Sequence, residues 1–153
     1  MRAVIQRVSR ASVEIEGCQT AAIGRGLLVL VGVEQGDTVE DAAWLAGKIV
    51  GMRIFADPQQ RMNRSLAEID GELLVVSQFT LHASTKKGNR PSFLAAARPD
   101  EAIPLYERFL EELHKAHGRP PARGTFAAEM AVSLVNDGPV TIIIDSRRRE
   151  GDS

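Results

Sequence analysis

GLLVLVGV, residues 26–33, is apolar at nearly every position, and EDAAWLAGKIVGM, residues 40–52, then changes the period. The first run suits a central strand covered on both faces, where no alternation is needed. In the second, Ala42, Leu45, Ala46, Ile49 and Val50 recur at helical spacing. Between them, Asp37 with Glu40 three residues on matches a helix-opening capping box extended from Ser/Thr to Asp. Strand and helix are thus adjacent here, and the flanking segments decide the fold class.

Upstream the chain reads as strand. AVIQRV (3–8) sets Ala3, Ile5 and Arg7 against Val4, Gln6 and Val8, and Arg7 is an odd charge among them. ASVEIEG (11–17) alternates more cleanly, with Val13 and Ile15 opposite Ser12, Glu14 and Glu16, which predicts a half-exposed strand. Downstream, RIFAD (53–57) reads as a return to strand, and DPQQRMNRSL (57–66) as a turn-rich connection broken at Pro58. LLVVSQFTLHA (73–83) is strand-like, and STKKGNRPSF (84–93) is a basic loop. RPDEAIPLYERFLEELHKAHGRPP (98–121) predicts a second helix. Pro99 fits its first turn, Leu105, Phe109, Leu110 and Leu113 form an apolar stripe, and Gly118, Pro120 and Pro121 stop it. Pro104 requires either a later start or a distorted first turn. TFAAEMAVSLV and VTIIID read as two strands around NDGP (136–139). About seven strands and two main helices, grouped rather than alternating, predict α+β. The expected sheet is largely antiparallel or mixed and able to curl into a barrel. Residues 1–146 are expected as one domain, and 147–153 as a charged, flexible tail.

Composition narrows the classes. The 153 residues are 44% hydrophobic and 25% charged, ordinary for a globular protein. A net charge of −1 provides no overall positive field for nucleic acid, although an RNA end needs few phosphate contacts. One cysteine, Cys18, makes no internal disulfide and reads as a small structural side chain. The N-terminal MRAVIQRVSR lacks a signal peptide's apolar run, and no stretch approaches a membrane span, so a cytoplasmic location is expected.

Several familiar chemistries are missing from the sequence: no phosphate-binding glycine loop, no G-x-S-x-G elbow, no cysteine pair for zinc. His114 and His117 lie one turn apart but close a charged helix, where histidines also favour the dipole. His82 could serve as a base, yet no carboxylate is placed to orient it. Ser77 and His82 are too close along an extended strand for a triad. No metal or cofactor is expected.

Two places remain. SQFT puts a hydroxyl, an amide and a second hydroxyl into an apolar strand, where unpartnered burial costs about 1–3 kcal/mol per group. Either nearby backbone satisfies them at a strand end, or they face a cavity and hold a carbonyl oxygen as charge develops on it. In VNDGPVT (135–141), Asn136, Asp137 and Gly138 fit a plain hairpin, while Gly138-Pro139 permits close backbone approach to a ligand. Residue content alone favours the plain alternative at both.

MRAVIQRVSRASV, GLLVLVGVEQGD, LLVVSQFTL, RPSF and VSLVNDGPVT, in this order, resemble the D-aminoacyl-tRNA deacylase family from residue 1 to about 144. The resemblance reverses both readings. It implies a barrel-like fold and a homodimer with active sites near the interface. The implied partner is the acceptor end of aminoacyl-tRNA, with no protein partner and no membrane. The implied reaction is hydrolysis of D-aminoacyl-tRNA, and of glycyl-tRNA mischarged on tRNA-Ala. By the same resemblance the Gly138-Pro139 bond is cis, and both carbonyl oxygens meet the substrate amino group and exclude L side chains. Ser77, Gln78, Phe79 and Thr80 line the ester site. Gln78, Phe79 and Thr80 are the implied catalytic positions, with backbone N–H groups around Gln78 and Phe79 orienting the ester. Met130 lines the amino-acid pocket and Arg7 supports the Gly138-Pro139 loop. The 2′-hydroxyl of the terminal adenosine, not a protein side chain, is implied to promote attack. Lys86, Lys87 and Arg90 either meet tRNA phosphates or form a solvated loop. The competing readings are a non-catalytic tRNA acceptor-end binder and an editing relative with a trans Gly-Pro bond and relaxed chirality.

Overall fold

The computed structural model describes residues 1–149; the expected flexibility of the tail falls partly on 150–153, which lie outside the described residues. Eleven elements follow in chain order. Strand β1 (Arg2–Ile15), β2 (Cys18–Ile23) and β3 (Gly26–Gly32) lead into helix α1 (Val39–Gly51). The short β4 (Phe55–Ala56) and β5 (Met62–Arg64) pair with each other, and β6 (Glu72–Ser77) runs into a 3-10 turn (Phe79–His82). Helix α2 (Pro99–His117), β7 (Ala122–Arg123) and β8 (Ala131–Asp145) complete the chain.

The main sheet is mixed, in the order β2-β1-β3-β6-β7, with β8 on the other edge of β1. β1 meets β2, β3 and β8 antiparallel, while β3–β6 and β6–β7 are parallel. The sheet curls until β2 approaches β6 and β7, nearly closing a barrel. One α+β domain results.

Alternation along the central strands feeds two cores. Leu27, Val29 and Val31 of β3 join Leu73 and Val75 of β6 beneath α1 and α2. Leu28, Leu74 and Val76 face the opposite way and pack with Val8, Ala11, Val13 and Ile23. The apolar run at 26–33 is therefore a strand buried on both faces.

β1 is one strand where the sequence suggested two. Val8 pairs with Asn136 and Arg10 with Val135, so Ser9 is an extra residue. Such a bulge inverts the alternation. Ala3 and Ile5 serve the helix-side core, whereas Ala11 and Val13, also odd-numbered, serve the other.

Helix α1 opens one residue later than expected. Thr38 is the N-cap, and the Asp41 carboxylate accepts from the Thr38 N–H at 2.8 Å. The Asp37 side chain is buried instead: it accepts from the Glu34 N–H at 2.7 Å and pairs with the Met1 amino group at 2.8 Å and Arg147 at 3.1 Å. Helix α2 runs unbroken through Pro104, which is exposed, leaving the Asp100 carbonyl freed by the missing N–H to water. Gly118 ends it at φ +84°. Cys18, expected to be structural, is exposed at the start of β2.

Removing one partner of a buried ion pair strands the other charge. Asp37→Ala should therefore lower unfolding stability by about 3–5 kcal/mol in urea titrations; a loss below 1 kcal/mol would show that the pair holds nothing. At Asp145, burial raises the carboxyl pKa, but hydrogen bonds from the Arg147 N–H and the Arg2 guanidinium, with the charge of Arg2, outweigh it and hold it below the usual range. A depressed carboxylate stabilises above its unfolded pKa, and that contribution is lost as pH falls through the folded value. The stability gap between wild type and Asp145→Asn should thus be full at pH 7 and shrink below about pH 4. A gap constant down to pH 2 would refute this.

Candidate active site

β6 ends because Gln78 leaves the extended region, at φ −147° and ψ 85°. Its N–H still reaches the Val31 carbonyl at 2.8 Å, the last bond of the parallel ladder. The chain then turns through Phe79–His82, and His82 folds back into the protein, 4% exposed, with Nε2 3.0 Å from the Gly32 carbonyl oxygen. Gly32 has no room for a side chain. A Cβ there would sit 2.8 Å from the Gln78 carbonyl oxygen and 3.0 Å from His82 Cδ2. His82 is thus a brace for the strand end, not a base.

Strand geometry through SQFT therefore breaks at Gln78. With its N–H engaged, the donors at this strand end are those of Phe79 and Thr80, for which no acceptor occurs among the described residues. The Gln78 side-chain amide donates to the Thr80 hydroxyl. The Phe79 ring is 56% exposed and meets Phe93 edge-on, with centroids 5.2 Å apart.

Beside this strand end lies a cavity of about 260 Å³. Val31–Val33 and Val76–Phe79 form one wall, Ala97, Ala102 and Tyr106 another, and Phe126, Ala127, Ala128 and Met130 with Val132 close it. That last segment is not strand, as expected for 125–130, but a turn with Ala127 at φ +64°. The turn brings Met130 to the cavity. Tyr106 is 1% exposed and its hydroxyl has no hydrogen-bond partner among the described residues. Burial pushes its pKa up to about 12.

VNDGPVT is not a hairpin. β8 continues through it along β1, but Gln6 pairs with Thr141 and Val8 with Asn136. Residues 137–140 of β8 therefore face a single residue, Arg7. The surplus bulges out as Asp137, Gly138 and Pro139, all exposed, with Gly138-Pro139 cis and Gly138 at φ +155°. Asn136 clasps the base of the bulge, its Oδ1 accepting from the Val140 N–H at 2.8 Å and its Nδ2 donating to the Val140 carbonyl at 3.1 Å. The Arg7 guanidinium donates to the Asp137 carbonyl at 2.8 Å and to the Ile54 carbonyl at 2.6 Å.

The structure thus gathers Ser77, Gln78, Phe79 and Met130 at one cavity, with Thr80 beside it, and Arg7, Gly138 and Pro139 at a second place. Arg7 pairs with Leu27 at the start of β3, whereas the cavity begins at Val31, near its end. Four residues of strand, roughly 13 Å, separate the two groups within one chain. Lys86, Lys87 and Arg90 are exposed on a loop pinched by mutual Ser84–Ser92 backbone bonds. The His117 ring meets the Gly71 carbonyl at 2.8 Å, and among the described residues no cluster of metal-ligating side chains occurs. Tyr106 and Phe126 went unnoticed in the sequence, since an aromatic on a helix stripe or in a turn reads as core.

Residues 4–145 match the family described as D-Tyr-tRNA(Tyr) deacylase. A D-aminoacyl-tRNA deacylase of Flavobacterium johnsoniae is 60% identical over 98% of this chain and 100% of its own length. One of Opitutus terrae is 63% identical with the same coverage. Among solved structures, c-Myc DNA Unwinding Element Binding Protein superposes with a TM-score of 0.89 at 41% identity, covering 95% of this chain and 98% of that one. A probable eukaryotic D-amino acid tRNA deacylase shares the fold, with a TM-score of 0.79 at 20% identity over 94% and 97%. The chain belongs to the D-Tyr-tRNA(Tyr) deacylase family, and is with it a hydrolase.

Proposed function

We propose that this protein edits aminoacyl-tRNA, cleaving the ester between a D-amino acid and the terminal adenosine and rejecting L esters. The observation that carries the reading is the end of β6, where the Phe79 and Thr80 N–H groups stand unpaired beside the cavity. Two donors fixed by the Gln78–Val31 and His82–Gly32 bonds suit the oxygen of an ester carbonyl as it gains charge. Water adds to the carbonyl carbon, and the bond to the 3′-oxygen then breaks as that oxygen takes up a proton. The terminal 2′-hydroxyl assists the proton movement. The protein contributes orientation and oxyanion stabilisation, and an aminoacyl ester, already activated, needs little more.

Handedness requires fixed contacts, because enantiomers share hydrophobicity and charge. With ammonium and ester carbonyl pinned, inversion at Cα drives the side chain onto another wall. Gly138 and Pro139 provide a wall of backbone, braced by Arg7 and clasped by Asn136, that cannot repack as a side chain would. Since some 13 Å of strand separates that wall from the ester donors of the same chain, one site uses the wall of a second copy. The exposed apolar side chains of Phe79, Phe93, Leu94 and Ile143 and the long open edge of β8 support a homodimer. Lys86, Lys87 and Arg90 then lie on the loop that leads from Phe79 to Phe93, where phosphates of the acceptor end would pass.

Catalytic amounts of protein should release tyrosine rapidly from D-tyrosyl-tRNA and not from L-tyrosyl-tRNA. Glycyl-tRNA, with no side chain to exclude, should be cleaved too. Loss of both tyrosyl esters would discard the backbone filter, and protection of both would make the protein a nucleic-acid binder, as one structural relative is named.

Gly138→Ala places a Cβ 2.6 Å from the Val140 nitrogen and should cut turnover about tenfold or more by shifting the wall. Phe79→Pro, which removes one of the two backbone donors, should also cut it. Mixed and re-equilibrated, the two inactive variants should recover about a quarter of wild-type activity, because half the dimers carry one intact site. No recovery in a mixture shown to contain hybrids would mean that each site is built within one chain.

A further inference from the structure

Tyr106 stands apart from the other residues lining the cavity. Apart from Ser77 and Gln78 at the strand end, the other side chains lining the cavity are apolar, among them Ala97, Ala102, Phe126, Ala128 and Met130. The Tyr106 hydroxyl is nevertheless buried and unpartnered among the described residues. The nearest cation offers no remedy: Arg123 lies over the tyrosine ring, 5.5 Å from its centroid, and both terminal nitrogens of its guanidinium are taken by Glu107. Phe126, at 5.7 Å, contributes only a ring. A phenol placed without a partner in an apolar wall costs stability, and a phenylalanine would fill the same volume without that cost. The hydroxyl is explained if its partner arrives with the substrate.

We infer that the Tyr106 hydroxyl is a substrate-binding group, donating a hydrogen bond to a neutral acceptor, a ring nitrogen or an oxygen, on the aminoacyl end of the tRNA. The inference rests on the deacylase reading of this cavity. A phenol with its pKa pushed up to about 12 keeps its proton at any physiological pH, so it remains a donor. The cavity, about 260 Å³, admits one small group. Two parts of the substrate carry such an acceptor: the base of the terminal nucleoside, common to all substrates, and the side chain of the amino acid, which changes.

The test is Tyr106→Phe in the full-length protein, with melting temperature and separate kcat and KM on D-tyrosyl-tRNA and D-alanyl-tRNA. Loss of an unpartnered hydroxyl should leave the melting temperature unchanged or raise it. Loss of one neutral hydrogen bond to substrate should lower kcat/KM about 3- to 10-fold. An equal fall on both substrates assigns the acceptor to the terminal nucleoside, and a fall on the tyrosyl ester alone assigns it to the amino-acid side chain. Unchanged kinetics on both overturn the inference, and so does a fall accompanied by a lowered melting temperature, which would mean that the hydroxyl serves the fold. Phe79→Pro, which lacks one of the two backbone donors, assayed in parallel, separates the underlying reading: if wild type turns over and that variant is equally fast, the strand end is not the ester site and the inference falls with it.

Discussion

Everything in the sheet is hung on β1, and β1 can hold β8 along its whole length only because of how the two strands pass each other at Arg7. Four residues of β8 face one residue of β1 there, a mismatch that would normally unzip an antiparallel pair. Two side chains prevent it. Asn136 presents an amide that imitates a missing backbone partner, bonding both polar groups of Val140. Arg7 reaches across to the Asp137 carbonyl and, with its other arm, to the Ile54 carbonyl beyond α1, so the bulge is tied to the helix layer as well as to the sheet. Two residues further along β1, Ser9 supplies the compensating irregularity, and the strand continues with its faces exchanged. A single charged residue in an apolar strand thus serves register, a protruding loop and the join between layers.

The same economy appears at the other end of the sheet. Gly32, Gln78 and His82 fit only one way, because the space a side chain would take at Gly32 is filled by the Gln78 carbonyl and the His82 ring. That packing turns the chain out of β6 after its last ladder bond and leaves two N–H donors without an acceptor. The donors are a consequence of how the strand stops, and their position is as rigid as the barrel itself. Backbone groups set in this way do not reorganise when charge appears near them.

Much of this was legible in the sequence, and the failures have physical causes. The doubly covered β3, the apolar face of α1 and the Gly118 stop of α2 follow from periodicity and capping, which act locally. β1 read as two strands because the Ser9 bulge reverses alternation, and parity is the quantity that alternation measures. VNDGPVT read as a hairpin because turn formers behave alike in a turn and in a bulge; the difference lies in β1, more than a hundred residues away. The cap slipped from Asp37 to Thr38 because Asp37 answers to Met1 and Arg147, partners that no local pattern reveals. Ser77, Gln78 and Thr80 stood out as polar intruders in an apolar strand, but Tyr106 did not, since its ring belongs to an apolar stripe and only its oxygen, unpaired among the described residues, marks it.

On the editing reading, these two ends of one sheet have complementary tasks and a shared constraint. An editor must spare an abundant L ester while destroying a rare D ester of identical composition, so its selectivity has to come from geometry that thermal motion cannot relax. Side chains hop between rotamers, whereas a bulge clasped at its base and tied to two layers does not. Building the filter from Gly138 and Pro139 and the oxyanion donors from Phe79 and Thr80 puts both tasks on main chain fixed by hydrogen bonds. The cost is that one chain cannot present both at one place, because the sheet holds them roughly 13 Å apart. A second copy related by a two-fold axis removes that distance without loosening either element. If the protein pairs as proposed, dimerisation belongs to the specificity mechanism itself: an isolated chain would keep its ester donors and lose the wall that tells D from L.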